Sequence, residues 1–352
     1  MTINRRSFLG LGGAGMAALL LSEGWPGWLT QHSRAVELAL IPRGDQRLAC
    51  ISDLNASYGS TNYIETVHQG VKLLRDLQPD LVICAGDMVA GQKRGLSSQH
   101  LDAMWQSFHQ QVLQPLRGAG LPFAASMGNH DASSSRNASG YVFALDRERA
   151  ARFWRQQQQQ LGINYHESSQ FPFRFSFQQG NVFVVNLDAS SAQIRAEDWQ
   201  WADQQLSTPQ ARQAMLRLVI GHLPPYAISQ GRDRAGEVLR NPERLLQLMK
   251  QHAVHLYISG HHHAWYPAQV GTTNLLSLGA MGNGPRRRLG DAQLSMQTLT
   301  LLDLFHRSGE LVETTVALKS GQVISPDALP GSLQPSDGPM LKRRSSRSRL
   351  SS

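Results

Sequence analysis

The stretch Leu81-Val82-Ile83-Cys84-Ala85-Gly86-Asp87 decides how the chain is read. A short, unbroken apolar run with no polar face describes a strand buried on both sides, and this one stops at a glycine followed by a carboxylate. The same grammar recurs. Leu48-Ala49-Cys50-Ile51-Ser52 ends at Asp53, and the run from Phe123 ends in Gly128-Asn129-His130-Asp131. Val182 onward ends at Asp188, Leu218-Val219-Ile220-Gly221 at His222, and Leu256-Tyr257-Ile258-Ser259-Gly260 at His261. Between the first two runs Ile64, Val67, Val71 and Leu74 keep helical spacing until Gln78-Pro79-Asp80 stops the helix. Alternation of this kind predicts a layered α/β domain, in which polar residues at the carboxyl ends of the strands converge on one rim.

Taken singly, these rim residues have plain structural readings. Asp53 and Asp131 suit helix caps, His222 a satisfied core histidine, and His261-His262-His263 a polar loop. Together they supply carboxylate, imidazole and amide oxygen, the donors that hard and borderline metal ions take. The ordered blocks Asp53-Leu54-Asn55, Gly86-Asp87, Gly128-Asn129-His130-Asp131, Gly221-His222 and Gly260-His261-His262-His263 resemble the signature of the calcineurin-like metallophosphoesterases, which include the purple acid phosphatases. The blocks span residues 53–263, and the resemblance of the surrounding strands extends over roughly residues 46–305.

The resemblance implies a four-layer α/β/β/α sandwich and a dinuclear centre of Fe, Mn or Zn at the strand ends. Asp87 would bridge the two metals, Asp53 and His263 would bind the first, and Asn129, His222 and His261 the second. His262 would point away. A hydroxide activated by the metals would attack the phosphorus of a small phosphorylated substrate held by Asn129 and His130. His130 would then assist the leaving oxygen, with Asp131 orienting its ring. Two positions depart from the family pattern. Asn55 stands where a histidine is usual, so the first metal, with Asn55 as a weak amide ligand, is expected to be held less firmly than the second. Ala90 stands where purple acid phosphatases carry a tyrosine, so a violet iron–tyrosinate centre is not expected.

Beyond the histidine loop, Arg286, Arg287 and Arg288 follow a glycine-rich turn and suit an anionic substrate, Arg286 above all, or else a solvated loop. Trp265 and Tyr266 offer either a stacking surface for an aromatic leaving group or ordinary packing against the rim. Cys50 and Cys84 sit inside apolar strands and read as small buried hydrophobes, with a bridge between them as the other reading.

The ends have their own character. Arg5-Arg6 precede an apolar, glycine- and alanine-rich run from Gly10 to Leu21, a pattern similar to a twin-arginine export signal. Residues 1–38 are therefore assigned as signal and linker, engaging the twin-arginine machinery and directing the chain to the periplasm or an equivalent compartment. An uncleaved segment would leave it anchored to the membrane. Residues 39–325 are assigned to the phosphoesterase domain, with 132–178 as an insertion near the site that carries a helix around Phe153 and Trp154. Residues 326–352, rich in Pro, Gly, Ser and Arg, are expected to be a disordered basic tail.

The net charge of +8 is concentrated at those ends: +1 lies in residues 1–30 and +5 in Lys342, Arg343, Arg344, Arg347 and Arg349, which leaves +2 for the body. A nearly neutral globule argues against a nuclease and against specific nucleic-acid binding, because duplexes normally demand a basic stripe. A catalytically impaired binding module of the same fold is the remaining alternative. Its one support is Asn55, and the intact remainder of the ligand set speaks against it.

Overall fold

The computed structural model describes residues 41–350; the proposed signal falls outside them. Two mixed β-sheets form the centre, with helices completing the four-layer α/β/β/α arrangement. In the first sheet Gln46–Ile51 runs parallel to Leu81–Cys84, which runs parallel to Phe123–Ala125. On its other side Gln46–Ile51 pairs antiparallel with Thr298–Phe305, and that strand with Glu310–Ala317. In the second sheet Val182–Asn186, Leu216–Ile220, Leu256–Ser259 and Thr273–Ser277 lie parallel in that order. All residues of Leu81–Cys84, Val182–Asn186 and Leu256–Ser259 are buried, as their unbroken apolar runs require.

The helix Glu65–Leu77 buries Val67, Val71 and Leu74 and ends where Gln78 turns left-handed (φ 46°) ahead of Pro79. Ser97 caps the helix Ser98–Phe108 by accepting the His100 N–H. Within residues 132–178 the helix Ala144–Gln157 presents Phe153 and Trp154 to the Ser98–Phe108 helix. Trp105 stacks on Phe153 at 4.9 Å and Trp154 lies parallel to Phe123 at 6.2 Å. This aromatic cluster fixes the strand that leads into Asn129.

Within the expected disordered tail, residues 326–350 are ordered. Leu341–Arg343 pairs with Ser332–Leu333 and with Tyr266–Val270, extending the second sheet, and Arg347–Arg349 pairs with Glu310–Ala317 on the first. The arginines have partners that composition cannot reveal. Arg343 donates to the Pro326 and Leu329 carbonyls at 2.8 and 2.7 Å and pairs with Asp327, and Arg344 pairs with the buried carboxylate of Glu313. Leu333 and Leu341 are buried beside them. Cys50 and Cys84 are both free and buried. Among the described residues no helix is long and apolar enough to cross a membrane.

Candidate metal centre

Each candidate ligand sits just past the carboxyl end of a strand, and the two sheets contribute equally. Asp53, Asp87 and Asn129 follow three strands of the first, while His222, His261 and His263 follow two of the second. Asp53, Asp87, His261 and His263 all have positive φ (54°, 56°, 66° and 51°). Such a conformation costs roughly 1–3 kcal/mol per non-glycine residue and persists only where the surroundings impose it. Here the imposition is visible. Asp53 N–H donates to Gly86 O at 2.9 Å, Leu54 N–H to Asp87 O at 2.8 Å, and Gly282 N–H to Asp53 O at 2.7 Å. His261 N–H donates to the Asp53 carboxylate at 3.1 Å, tying one sheet to the other. The motif glycines permit this approach: a Cβ on Gly128 would collide with the Asp87 carboxylate, and one on Gly260 with Ser52 and Asp53.

Two donor clusters result. Asp87, His222 and His261 form one and Asp53, Asp87 and His263 the other, with the ligand atoms of each within 4.8 Å of one another and Asp87 common to both. His222 Nε2 lies 3.3 Å from Asp87 Oδ2 and 2.9 Å from Asn129 Oδ1, and His263 Nε2 lies 3.2 Å from Asp53 Oδ1. The Asn129 amide is oriented by its Nδ2, which donates to Gln92 Oε1 at 2.6 Å.

The donors fit divalent metal ions on structural grounds. Every imidazole in the clusters has its second nitrogen anchored: His222 Nδ1 on Ala85 O (2.7 Å), His263 Nδ1 on Gly284 O (2.9 Å), and His261 Nε2 on Glu237 Oε2 (2.9 Å). An anchored N–H leaves the other ring nitrogen as a lone pair for a metal, the arrangement by which outer partners orient metal-binding histidines. His222 Nε2 then faces two acceptor oxygens, an arrangement that requires a proton or a cation between them. Burial works to lower His222, but Asp87, with Asp53 behind it, outweighs burial and raises His222 to about 9. Burial likewise works to raise Asp87 and Asp53, yet the surrounding histidines hold both carboxyls below the ordinary range, His222 and His130 acting on Asp87 and His263 first on Asp53. Asn55 is buried on the same rim, its N–H donating to Asp87 O at 3.2 Å.

Around the clusters the expected roles divide. His130 lines the site, with Nδ1 donating to Gly91 O at 3.1 Å and Nε2 3.9 Å from Asp87 Oδ2, too far for a hydrogen bond. Tyr58, mostly exposed, tilts over its ring at 4.8 Å. Asp131, expected to orient that ring, is turned inward instead. It accepts the N–H groups of Asp87, Gly128 and Met88 at 2.8 Å and of Val89 at 3.0 Å, and so shapes the loop that carries Asp87. Gly91 and Tyr58 orient His130 in its place. Burial, and next Asp87, push Asp131 up to about 7 against the pull of its N–H donors.

His262 points away, as the family pattern implies: Nδ1 accepts the Ile228 N–H at 3.0 Å and Nε2 donates to Glu237 O at 3.0 Å. Of the three arginines only Arg286 belongs here. It donates its N–H to His263 O, senses Asp53 and Glu237, and keeps a buried Nε without a partner. Arg287 is exposed, and Arg288 is buried against Trp265 O and Asp291. Trp265 and Tyr266 are fully buried and bonded to Glu313 and Pro330, so packing, not stacking on a substrate, is their role. Sequence reasoning missed Arg232, Glu237, Gln92 and Tyr58. The charge cluster Arg232-Asp233-Arg234 with Glu237, directly after the His222 strand, was the one available signal.

Two buried donor clusters sharing one carboxylate, between the strand ends of two sheets, define a dinuclear metal-site protein. The chain belongs to the calcineurin-like phosphoesterase family, whose model matches residues 46–265. Family and donor clusters together fit divalent ions at a dinuclear site. Among solved structures the chain is similar to the purple acid phosphatase PPD1 from yellow lupin (Lupinus luteus), with a TM-score of 0.58 and 16% identity over 79% of this chain and 52% of that one. It is also similar to a dimetal phosphatase from Danio rerio, with a TM-score of 0.52 and 14% identity over 77% and 96%. The chain thus spans about half the length of the lupin protein. At these identities the likeness speaks for the fold. No curated protein sequence matches the chain.

Proposed function

We propose that this protein hydrolyses small phosphoric esters, as an acid-phosphatase-like monoesterase or a phosphodiesterase, outside the cytoplasm. The observation that supports it most is the shared Asp87, set between two sets of imidazole and carboxylate donors whose outer nitrogens are anchored. Asp53, Asp87 and His263, with Asn55 nearby, would hold one metal, and Asp87, Asn129, His222 and His261 the other. Bound there, Fe, Mn or Zn would supply Lewis-acid stabilisation of the phosphoryl oxygens and lower the pKa of a bound water.

The protein's own residues do the rest. The Asn129 amide, fixed by Gln92, lines the cavity and Arg286 senses Asp53 and Glu237 beside it; both would meet the phosphoryl group, and anchored donors of this kind stabilise developing negative charge at little cost in reorganisation. His130 borders the same cavity, of about 180 Å³. With Nδ1–H committed to Gly91, its Nε2 is the atom that carries a proton to the leaving oxygen. Asp131 acts indirectly, by holding the Asp87 loop. Turnover of 4-nitrophenyl phosphate and bis(4-nitrophenyl) phosphate by purified protein, with metal content measured on the same sample, tests the reading. Two bound metals without turnover of either ester would favour the binding-module alternative.

Export rests on Arg5-Arg6 and the apolar run after them. Replacing both arginines by lysine should retain the protein in the cytoplasm, and undiminished export of that variant would refute the twin-arginine route.

A further inference from the structure

The loop that follows His222 brings a second charged group to the cavity. Arg232 Nη1 pairs with Glu237 Oε2 and lies 3.2 Å from His261 Nε2, while the other Glu237 oxygen holds Arg234 at 3.0 Å. The Nε2–H of His261 already donates to Glu237, so it offers Arg232 no lone pair. The guanidinium is therefore parked beside the imidazole by Glu237 and is not bonded to the ring. Among the described residues its hydrogen bond runs from Nη1 to Glu237, which leaves Nε and Nη2 without a protein acceptor on a side chain 17% exposed. Arg232 lines the same cavity as Asn129, His130 and His261. Arg286 reaches the site from the loop beside His263 and senses Arg232 directly. Arg232, Arg234 and Arg286 outnumber Glu237, so, the metal-ligating carboxylates Asp53 and Asp87 set aside, this side of the cavity keeps a positive excess.

That excess discriminates between ester classes. At neutral pH a phosphomonoester presents up to two charges on three terminal oxygens, whereas a diester presents one charge on two. A planar guanidinium with two free N–H-bearing nitrogens matches the extra oxygen and charge. Resting on the phosphoesterase reading above, we infer that Arg232, held in place by Glu237, selects dianionic phosphomonoesters over monoanionic diesters.

The test compares full-length wild type with Arg232→Gln, metal content being measured on both. Calorimetry with inorganic phosphate and with dimethyl phosphate gives a readout independent of turnover. Loss of a charge-assisted hydrogen bond should weaken inorganic phosphate about 10–100-fold and dimethyl phosphate much less, with metal content unchanged. The kcat/KM ratio of 4-nitrophenyl phosphate to bis(4-nitrophenyl) phosphate should fall in parallel, and Arg232→Lys should restore part of it. Should the glutamine variant fail to fold, the lysine variant carries the comparison, with a reduced monoester preference expected at full metal content. Equal weakening of both anions, or loss of metal from a folded Arg232→Gln protein, would overturn the inference and leave Arg232 a support for Glu237 and His261. If metal-loaded wild type turned over neither ester, the phosphoesterase reading would fall, while the phosphate-binding ratio would still decide the role of Arg232.

Discussion

The two donor clusters share Asp87 but are not equally furnished. Around His222 and His261 the protein adds the oriented amide of Asn129 and a carboxylate, Glu237, on the outer nitrogen of His261. Around Asp53 and His263 the outer partner of the histidine is a backbone carbonyl, Gly284 O, Asp53 is held by the His261 N–H, the histidine is 12% exposed, and Asn55 stands where the family carries an imidazole. A metal site gains affinity from the number of its donors and from the partners that orient them. The difference therefore predicts a firmly held second metal and a first metal that exchanges more readily.

The severest way to break the comparison is to remove what the clusters share. Asp87→Asn should abolish binding of both metals and all activity while leaving the circular dichroism spectrum intact; metal analysis that still found one ion bound would show that the clusters are independent. His130→Ala comes next. It should keep both metals and lose roughly 10²–10⁴ in kcat, the usual contribution of a positioned acid or base. Equal metal loss in that variant would instead make His130 a ligand.

Smaller changes should separate the clusters. Glu237→Gln removes the charged partner of His261, so second-site affinity should drop about 10–100-fold in a metal titration, with the first site nearly unchanged. Asn55→His should do the reverse, raising first-site affinity by up to about tenfold and increasing activity at limiting metal. Identical binding curves for Asn55→His and wild type would remove Asn55 from the ligand set.

Much of this site is legible in the residues themselves. Buried strands announce themselves by unbroken apolar runs, and the ligands sit where those runs stop, so Asp53, Asp87, Asn129, His222, His261 and His263 can be placed on one rim before any fold is known. The Glu65–Leu77 helix follows from apolar spacing, and the orientation of His262 from the family resemblance. The rest depends on partners distant along the chain. Arg232 and Glu237 lie on an irregular loop with no periodicity to mark them, and only the folded loop carries them to His261. Asp131 occupies a motif position that suggests catalysis, yet four backbone N–H groups claim its oxygens. The tail misleads for a related reason: composition records the charge of Arg344 but not the buried Glu313 that receives it.

The central claim, that one carboxylate joins two metal sites, is tested most directly by anomalous diffraction from crystals soaked in Mn or Zn. The account predicts two peaks, one on each side of Asp87, with the peak beside Asp53 and His263 the lower in occupancy. A single peak at saturating metal, or a pair that does not contact Asp87, would contradict it.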